Sequence, residues 1–327
     1  MKDKLVAFML YLGENQWDDS PIRINARGSR YQPKLTTDRK VWREITDFAV
    51  EQGFNAIQIP TVDGVKYKSH PEIAIDGAWE VEELREELCR LREIGLTPIP
   101  ELNFSTGHDI WLGEYSRMVS TPIYYEVVRD LIHENIEIFD TPEFFMMDQD
   151  EETHIVQRRM DFVCFRQNDL LWHDIEFMHN CMREKGVRPI MAVDLFANHK
   201  EDFLKHVKKD VVIMPWYYLT LQEDAKEKLP KLNDPADWEN YNKFLISKIE
   251  SYSELPKLGY DVFPMVSDCY KDFGIDHSIK HIANDVPEDK LLGVTVAPWF
   301  GCTTEEHKYA IMDSLVSTQE AINKHWK

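Results

Sequence analysis

The sequence has 327 residues and a formal net charge of −20 at neutral pH. Nucleic acids and anionic membranes bind basic protein surfaces, so this acidic balance argues against either as a partner. Hydrophobic residues make up 43% and charged residues 29% of the chain, which provides for a large core and gives no compositional sign of disorder. The length exceeds that of most single domains, but closed α/β barrels commonly reach it as one unit.

The cysteines are scattered, odd in number and without the C-x-x-C spacing of zinc sites. They are Cys89, Cys164, Cys181, Cys269 and Cys302. This usage fits a reducing compartment better than a disulfide framework, and it does not predict a zinc cluster. No apolar run approaches the ~20 residues that a membrane span needs. We therefore expect a cytoplasmic protein that uses no metal or other cofactor.

The first apolar run, Leu5–Leu12, follows two lysines and so superficially imitates a signal peptide. However, Asp3 interrupts the basic region and no small-residue cleavage site follows the run. The run therefore predicts the first β-strand of the fold.

Short apolar runs alternate with longer amphipathic segments along the whole chain. The runs predict strands at Leu5–Leu12, Phe54–Pro60, Thr97–Phe104, Phe144–Gln149, Pro189–Phe196, Val211–Tyr217, Val262–Asp268 and Leu292–Trp299. The segments between them predict helices near 38–52, 80–94, 121–139, 168–185, 199–207, 235–253, 275–284 and 304–324. Before the third strand, apolar residues recur at helical spacing from Val81 to Leu91, and Gly95 stands where a left-handed C-terminal cap is favoured.

Eight βα units without a linker or a change in composition predict one (β/α)8 TIM barrel, with residues 1–327 forming a single catalytic domain. A doubly wound open sheet is the alternative. It would normally carry a Gly-rich phosphate loop after an early strand, and the sequence has none. Active sites of such barrels lie at the carboxyl ends of the strands. The residues that close each apolar run are therefore the candidates for function.

The fourth apolar run closes in four acids around one glutamine, in the segment FFMMDQDEE at Phe144–Glu152. A buried strand has no low-energy place for carboxylates except at its end. Asp150 and Glu151 are therefore candidates for acid–base chemistry. The alternative interpretation is a helix N-cap at Asp150 followed by a solvated first turn. Asp148 either lines the site or bonds a neighbouring loop, and we expect Glu152 to be a solvated acid.

The other strand ends are also polar or aromatic. They supply candidate substrate-binding residues: Glu101, Asn103 and His108 after the third strand, Asp194 after the fifth, Trp216 and Tyr217 after the sixth, Asp268 and Tyr270 after the seventh, and Trp299 after the eighth. Aromatic rings stack on the apolar face of a sugar ring, while acids and amides bind its hydroxyl groups. Any one of these rings alone would be read as core packing. Their clustering at strand ends predicts a carbohydrate as the partner.

Residues 78–108 resemble glycoside hydrolase family 20, the β-N-acetylhexosaminidases. In that family a helix rich in Glu, Leu and Arg leads into a strand reading Pro-Glu-Ile-Asp-x-Pro-Gly-His. Four residues match this strand, namely Pro100, Glu101, Gly107 and His108. Asn103 replaces the family's Asp, and the loop is one residue longer.

Two further segments carry the resemblance. The family's His-x-Gly-Gly-Asp-Glu motif is matched by Asp150 and Glu151, whereas Met146 stands in place of the His and Asp148-Gln149 in place of the glycines. The segment GVTVAPW at 293–299 is similar to the family's last strand, which ends in an Ala-x-x-Trp-like element.

The resemblance implies substrate-assisted retaining hydrolysis, in which the 2-acetamido oxygen of the sugar attacks C1. Glu151 would protonate the leaving oxygen and then activate water, and Asp150 would orient the acetamido group. Tyr270 would hold the acetamido oxygen, with Trp216 and Trp299 as walls of the pocket. Glu151 must keep its proton near neutral pH for this role, and the charge of neighbouring acids would favour that.

Three other functions stay open at this point. A metal-dependent sugar isomerase or epimerase would need Glu, Asp, His and Glu at alternate strand ends, whereas the sixth and eighth runs end in aromatic residues. A catalytically silent carbohydrate-binding barrel is compatible with the replaced His and glycines. Ordinary two-carboxylate hydrolysis would pair Glu151 with Asp194 or Asp268.

Overall fold

A computed structural model of the chain describes residues 4–16, 31–153, 157, 163–218, 235–268, 274–299 and 303–326, with side chains beginning at residue 243 in the segment that starts at 235. Parallel strands form one sheet of eight. In chain order they are β1 (Leu5–Met9), β2 (Ala56–Pro60), β3 (Thr97–Glu101), β4 (Phe144–Met146), β5 (Arg188–Ala192), β6 (Val212–Met214), β7 (Met265–Val266) and β8 (Gly293–Val296). Their order in the sheet is β6-β5-β4-β3-β2-β1-β8-β7.

The sheet closes on itself between β6 and β7. Isolated parallel bridges join Ile213 to Val262 and Trp216 to Met265. Across this seam the Phe263 N–H donates to the Ile213 carbonyl at 2.9 Å. The predicted (β/α)8 TIM barrel is therefore confirmed.

Each predicted strand overlaps one observed strand, and the observed strands are shorter. At the end of β4 the backbone leaves the extended conformation, since Asp148 and Gln149 have φ angles of 53° and 61°. The predicted strand Pro189–Phe196 is wrong beyond Ala192, because Asp194–Asn198 forms a short helix. The chain therefore turns sharply where the candidate residues stand.

Helices surround the barrel. Among the described residues they are α1 (Arg39–Glu51), α2 (Val81–Glu93), α3 (Pro122–Ile138), α4 (Asp169–Arg183), α5 (Asp194–Asn198), α6 (Lys200–His206), α7 (Pro235–Lys257), α8 (Gly274–Asp285) and α9 (Lys308–His325). Every predicted helical segment overlaps one of them, and α5 was not predicted. A two-stranded parallel pair in the loop after β2, Val65–Lys66 with Trp79–Glu80, was also not predicted. None of the described helices combines the length and apolarity that crossing a membrane requires.

The apolar core has two layers, which follow from the alternation of side chains along each strand. Ala7 and Met9 of β1 belong to a cluster built from strands and strand ends, which fills the barrel. Val6 and Phe8 belong to the larger cluster between the strands and the helices. Beyond the end of a strand, side chains that continue the inward-facing alternation therefore point into the barrel mouth.

The end of α2 is a left-handed cap, as the sequence predicts. Gly95 has a φ of 98°, its N–H donates to the Arg92 carbonyl at 3.1 Å, and the Leu96 N–H donates to the Leu91 carbonyl at 2.9 Å. This is the Schellman pattern, which directs the chain from the helix back into β3.

Gly293 marks the closest approach between β8 and β1, where it pairs with Leu5. A Cβ atom at this position would lie 1.9 Å from the Leu5 carbonyl oxygen. Because both partners are backbone in the barrel wall, neither can move aside without breaking the pairing.

Gly293→Ala should lower the free energy of unfolding by about 3 kcal/mol. This is the upper end of the usual cost of overpacking, because the added Cβ meets backbone that cannot move. Urea denaturation followed by far-UV circular dichroism measures the change. Gly95→Ala is the control: no described atom lies within 4 Å of its added Cβ, so only backbone strain of about 1 kcal/mol is expected. Equal losses in the two variants would contradict the role of this close approach.

Candidate active site

The loop after β4 has an unusual backbone. Asp148, Gln149 and Glu151 have φ angles of 53°, 61° and 54°. Left-handed conformations cost non-glycine residues free energy and persist only where surrounding contacts hold them. Two such contacts are the Ala192 N–H donating to the Asp148 carbonyl at 2.6 Å and the Asp150 N–H donating to Ser105 Oγ at 2.9 Å. The loop is thereby fixed against β5 and the loop after β3.

Asp150 and Glu151 meet His108 at the carboxyl end of the barrel. Asp150 Oδ1 accepts hydrogen bonds from Asn103 Nδ2 and Ser105 Oγ, each at 3.0 Å. His108 Nε2 lies 3.1 Å from Glu151 Oε2 and 4.0 Å from Asp150 Oδ2. The Glu151 side chain is 31% exposed and that of Asp150 19% exposed. The two carboxyl groups are thus held by protein contacts while still reaching solvent.

Asp194 lies directly beneath this pair and is fully buried. Its Oδ2 accepts from Trp216 Nε1 at 2.7 Å, and its Oδ1 accepts from the Glu151 N–H at 3.3 Å. The Nζ of Lys248, from α7, lies 3.0 Å from the same Oδ1. Asp194 therefore links the loop after β4 to the segment after β6 and to α7.

Glu101 and Asp148 form a second buried group of acids. Glu101 Oε2 accepts from Gln58 Nε2 at 2.6 Å, and its carboxyl group bonds that of Asp148. Burial raises the pKa of Glu101 to about 7. Burial, followed by the charges of Glu101 and Asp150, raises the pKa of Asp148 well above its usual range. At neutral pH this pair therefore retains a proton.

An aromatic wall lines one side of the mouth. The Trp216 and Tyr218 rings stack at 5.2 Å, Tyr218 lies 6.3 Å from Trp299, and Trp299 lies 6.5 Å from Tyr11. Tyr217 belongs instead to the layer between the strands and the helices, because successive residues face opposite ways. Tyr11 was not predicted to lie here. Its sequence signal was the same alternation, because Ala7, Met9 and Tyr11 share the inward face of the first run.

The sequence also predicted roles for Asp268, Tyr270 and Glu152. Asp268 accepts a hydrogen bond from Ser314 of α9 at 2.5 Å. Tyr270 lies outside the described residues. Glu152 was expected to be solvated, which is wrong, because the residue is 6% exposed. Its carboxylate accepts from the Thr106 N–H at 2.9 Å and from Arg166 Nε at 3.1 Å.

Arg166 is a buried support beneath the site that sequence reasoning missed. Its guanidinium is fully buried between the carboxylates of Glu152 and Asp174. It also donates to the Phe104 carbonyl at 2.9 Å and to Gln149 Oε1 at 3.2 Å. One side chain thereby ties the loops after β3 and β4 to α4.

Arg166→Met should lower the free energy of unfolding by about 3–5 kcal/mol, because two buried carboxylates would lose their cation. Thermal and urea unfolding measure the loss. Arg183→Met is the control: Arg183 pairs with Asp210, whose side chain is 43% exposed, so less than about 1 kcal/mol is expected. A loss as small as that of the control would show that Arg166 is not the support described.

The raised pKa of Glu101 also predicts a pH dependence of stability. The folded value of about 7 lies above the ordinary value of 4.5, so between these values the folded protein binds more protons than the unfolded chain. The stabilisation of the folded state by protonated Glu101 is fully present below pH 4.5. It is lost as the pH rises through about 7.

The glutamine in Glu101→Gln cannot ionise. Between about pH 5 and about pH 7.5, the free energy of unfolding should therefore fall less in this variant than in wild type. Urea titrations at the two pH values measure the difference. Glu51→Gln, at the exposed end of α1, should behave as wild type at both. An unchanged pH dependence in Glu101→Gln would mean that this carboxyl group does not retain its proton on folding.

The residues of this site include a group that could hold a metal. One ligand atom each from His108, Asp150 and Glu151 lies within 4.8 Å of the others. Imidazole and carboxylate ligands suit several divalent ions. Acid–base chemistry and metal binding are therefore both within reach of these side chains.

Solved structures share this fold. The chain is similar to the β-N-acetylhexosaminidase from Bacteroides fragilis NCTC 9343, at 13% identity and a TM-score of 0.62, covering 97% of this chain and 65% of that one. It is similar to the GH20 exo β-N-acetylglucosaminidase from Vibrio harveyi, at 16% identity and a TM-score of 0.61, covering 98% of this chain and 54% of that one. It is also similar to dispersin B, at 14% identity and a TM-score of 0.60, covering 98% of this chain and 99% of that one.

No protein-family model and no curated protein sequence matches the chain. It therefore has the fold of GH20 β-N-acetylhexosaminidases with a divergent sequence. The chain spans 65% and 54% of the first two neighbours and nearly all of dispersin B. The family resemblance inferred from short motifs thus extends to the fold of almost the entire chain.

Proposed function

We propose that the protein is a glycoside hydrolase whose active site is the carboxyl end of the barrel. The observation that carries the proposal is that Asp150 and Glu151, on the loop after β4, meet His108 from the loop after β3, near an aromatic wall that contains Trp216. Carboxyl groups beside stacked rings offer both the acid–base groups and the binding surface that glycoside cleavage needs.

We assign the acid–base role to Glu151. As the more exposed acid of the pair, it can reach both a leaving oxygen and a water molecule. Its proton passes to the glycosidic oxygen as the C1–O bond breaks, and the carboxylate later takes a proton from the attacking water. His108 Nε2, 3.1 Å from Glu151 Oε2, orients the carboxyl group through a hydrogen bond.

We further propose that the substrate is a 2-acetamido sugar and that its own carbonyl oxygen is the nucleophile. The fold of β-N-acetylhexosaminidases and the matched strand motifs support this choice. Asp150 then faces the acetamido nitrogen, where positive charge develops as the oxygen bonds to C1. The hydrogen bonds from Asn103 and Ser105 to Oδ1 fix the orientation of the Asp150 side chain for this role.

A panel of 4-nitrophenyl glycosides tests the proposal. The N-acetyl-β-glucosaminide or N-acetyl-β-galactosaminide should be cleaved, and the β-glucoside should be cleaved far more slowly, because it lacks the nucleophile. Glu151→Gln should lower kcat/KM by about 10²–10⁴-fold, the usual contribution of a general acid–base residue. Glu143→Gln, an exposed acid just before β4, should match wild type.

The same assay separates the alternatives. Equal cleavage of the β-glucoside would favour two-carboxylate hydrolysis. Binding of N-acetylglucosamine without turnover of any glycoside would favour a silent carbohydrate-binding barrel.

A metal-dependent sugar isomerase or epimerase is the second candidate, because His108, Asp150 and Glu151 could share an ion. Aldose–ketose conversion that a chelator abolishes and manganese restores would favour it over hydrolysis. Glycoside cleavage that is unchanged by the chelator would exclude a metal from the proposed reaction.

A further inference from the structure

Lys248 is a cation enclosed beside the candidate active site. Its side chain is 1% exposed, and its Nζ lies 3.0 Å from Asp194 Oδ1. The same Nζ lies 2.8 Å from the centroid of the Trp216 ring and 4.6 Å from that of Phe244. A buried ammonium is costly unless carboxylates and aromatic faces replace its water. This enclosure supplies both.

Asp194 depends on that cation for its charge. It accepts from Trp216 Nε1 at 2.7 Å and from the Glu151 N–H at 3.3 Å, and it pairs with Lys248. The ionised carboxylate is the stronger acceptor for the two N–H donors and is the form that attracts the ammonium of Lys248. The Nζ of Lys248, 3.0 Å from Oδ1, places a positive charge directly against this buried carboxylate.

We propose that Lys248 is a positioning residue for the catalytic pair: it keeps Asp194 a carboxylate, and Asp194 then holds the Glu151 backbone and the Trp216 indole in place for the sugar. The inference rests on the proposed glycosidase function. Glu151 has a φ of 54°, a conformation that needs contacts from outside the loop to persist. The Asp194 bond to its N–H is such a contact.

The charged groups around Lys248 agree with this role. Asp194, Glu151 and Asp150 are the carboxylates whose charge acts on its ammonium. His108 faces Glu151 from the loop after β3. Removing the ammonium would leave these acids without their buried counter-ion.

Lys248→Met tests the role, because methionine keeps the length and apolar stem of the side chain but not the charge. With the aryl 2-acetamido glycoside, kcat should fall by about 10²-fold, as expected when a reacting group is displaced slightly, while KM changes much less. Lys248→Arg keeps the charge and should recover most of kcat. Lys257→Met, at the exposed end of α7, is the matched control and should equal wild type.

A double-mutant cycle distinguishes positioning from space filling. If Lys248 acts through Asp194, the double variant Asp194→Asn with Lys248→Met should be no slower than Asp194→Asn alone. Losses that multiply in the double variant would overturn the proposal. Full kcat in Lys248→Met would overturn it while leaving the glycosidase function intact.

A measurement on wild-type protein covers the case in which Lys248→Met does not fold. In protein labelled with [15N]lysine, Lys248 should give a slowly exchanging ammonium signal at neutral pH, assigned by its loss in Lys248→Arg. A neutral amine at this position would overturn the proposal. If wild type cleaves no glycoside, the proposed function fails separately from this result.

Discussion

A carboxylate that loses water contacts must acquire a donor, a cation or a proton. Among the described residues, five wholly or partly buried carboxyl groups at the carboxyl end of the barrel meet this need. Their solutions differ: Asn103 and Ser105 for Asp150, His108 for Glu151, Lys248 for Asp194, and a shared proton for Glu101 with Asp148. Each solution is a directional contact to another element of the fold. The contacts that stabilise these carboxyl groups therefore also connect the elements that form the mouth.

Much of the fold could be predicted because apolar periodicity locates strands and helices directly. The acids after β4 could be identified because a buried strand followed by carboxylates is an unusual pattern. Lys248 could not be identified, since a lysine within an amphipathic helix normally marks its solvated face. The burial of Glu152 could not be foreseen either, because its partner Arg166 is apparent only once the loop is folded. Tyr217 was grouped with Trp216 by sequence position, whereas alternation assigns them to opposite faces.

The departures from the family motifs have physical counterparts in the structure. Met146, at the position of the family's His, is fully buried in the apolar interior of the barrel. Asp148, at the position of a glycine, has a φ of 53°, a conformation that Asp tolerates better than most residues. The loop thus keeps a glycine-like backbone and gains a carboxyl group. That additional group, bonded to Glu101, is the clearest chemical difference between this mouth and the motif it resembles.

The seam between β6 and β7 has a mechanical consequence. The strands on either side of it are short, and isolated bridges join them in place of a continuous ladder. A barrel wall deforms most easily where its strands share the fewest contacts. Trp216 forms one of the bridges of this seam. We expect the cleft beside the indole to widen more easily than the wall between β2 and β3, where five residue pairs form a continuous ladder.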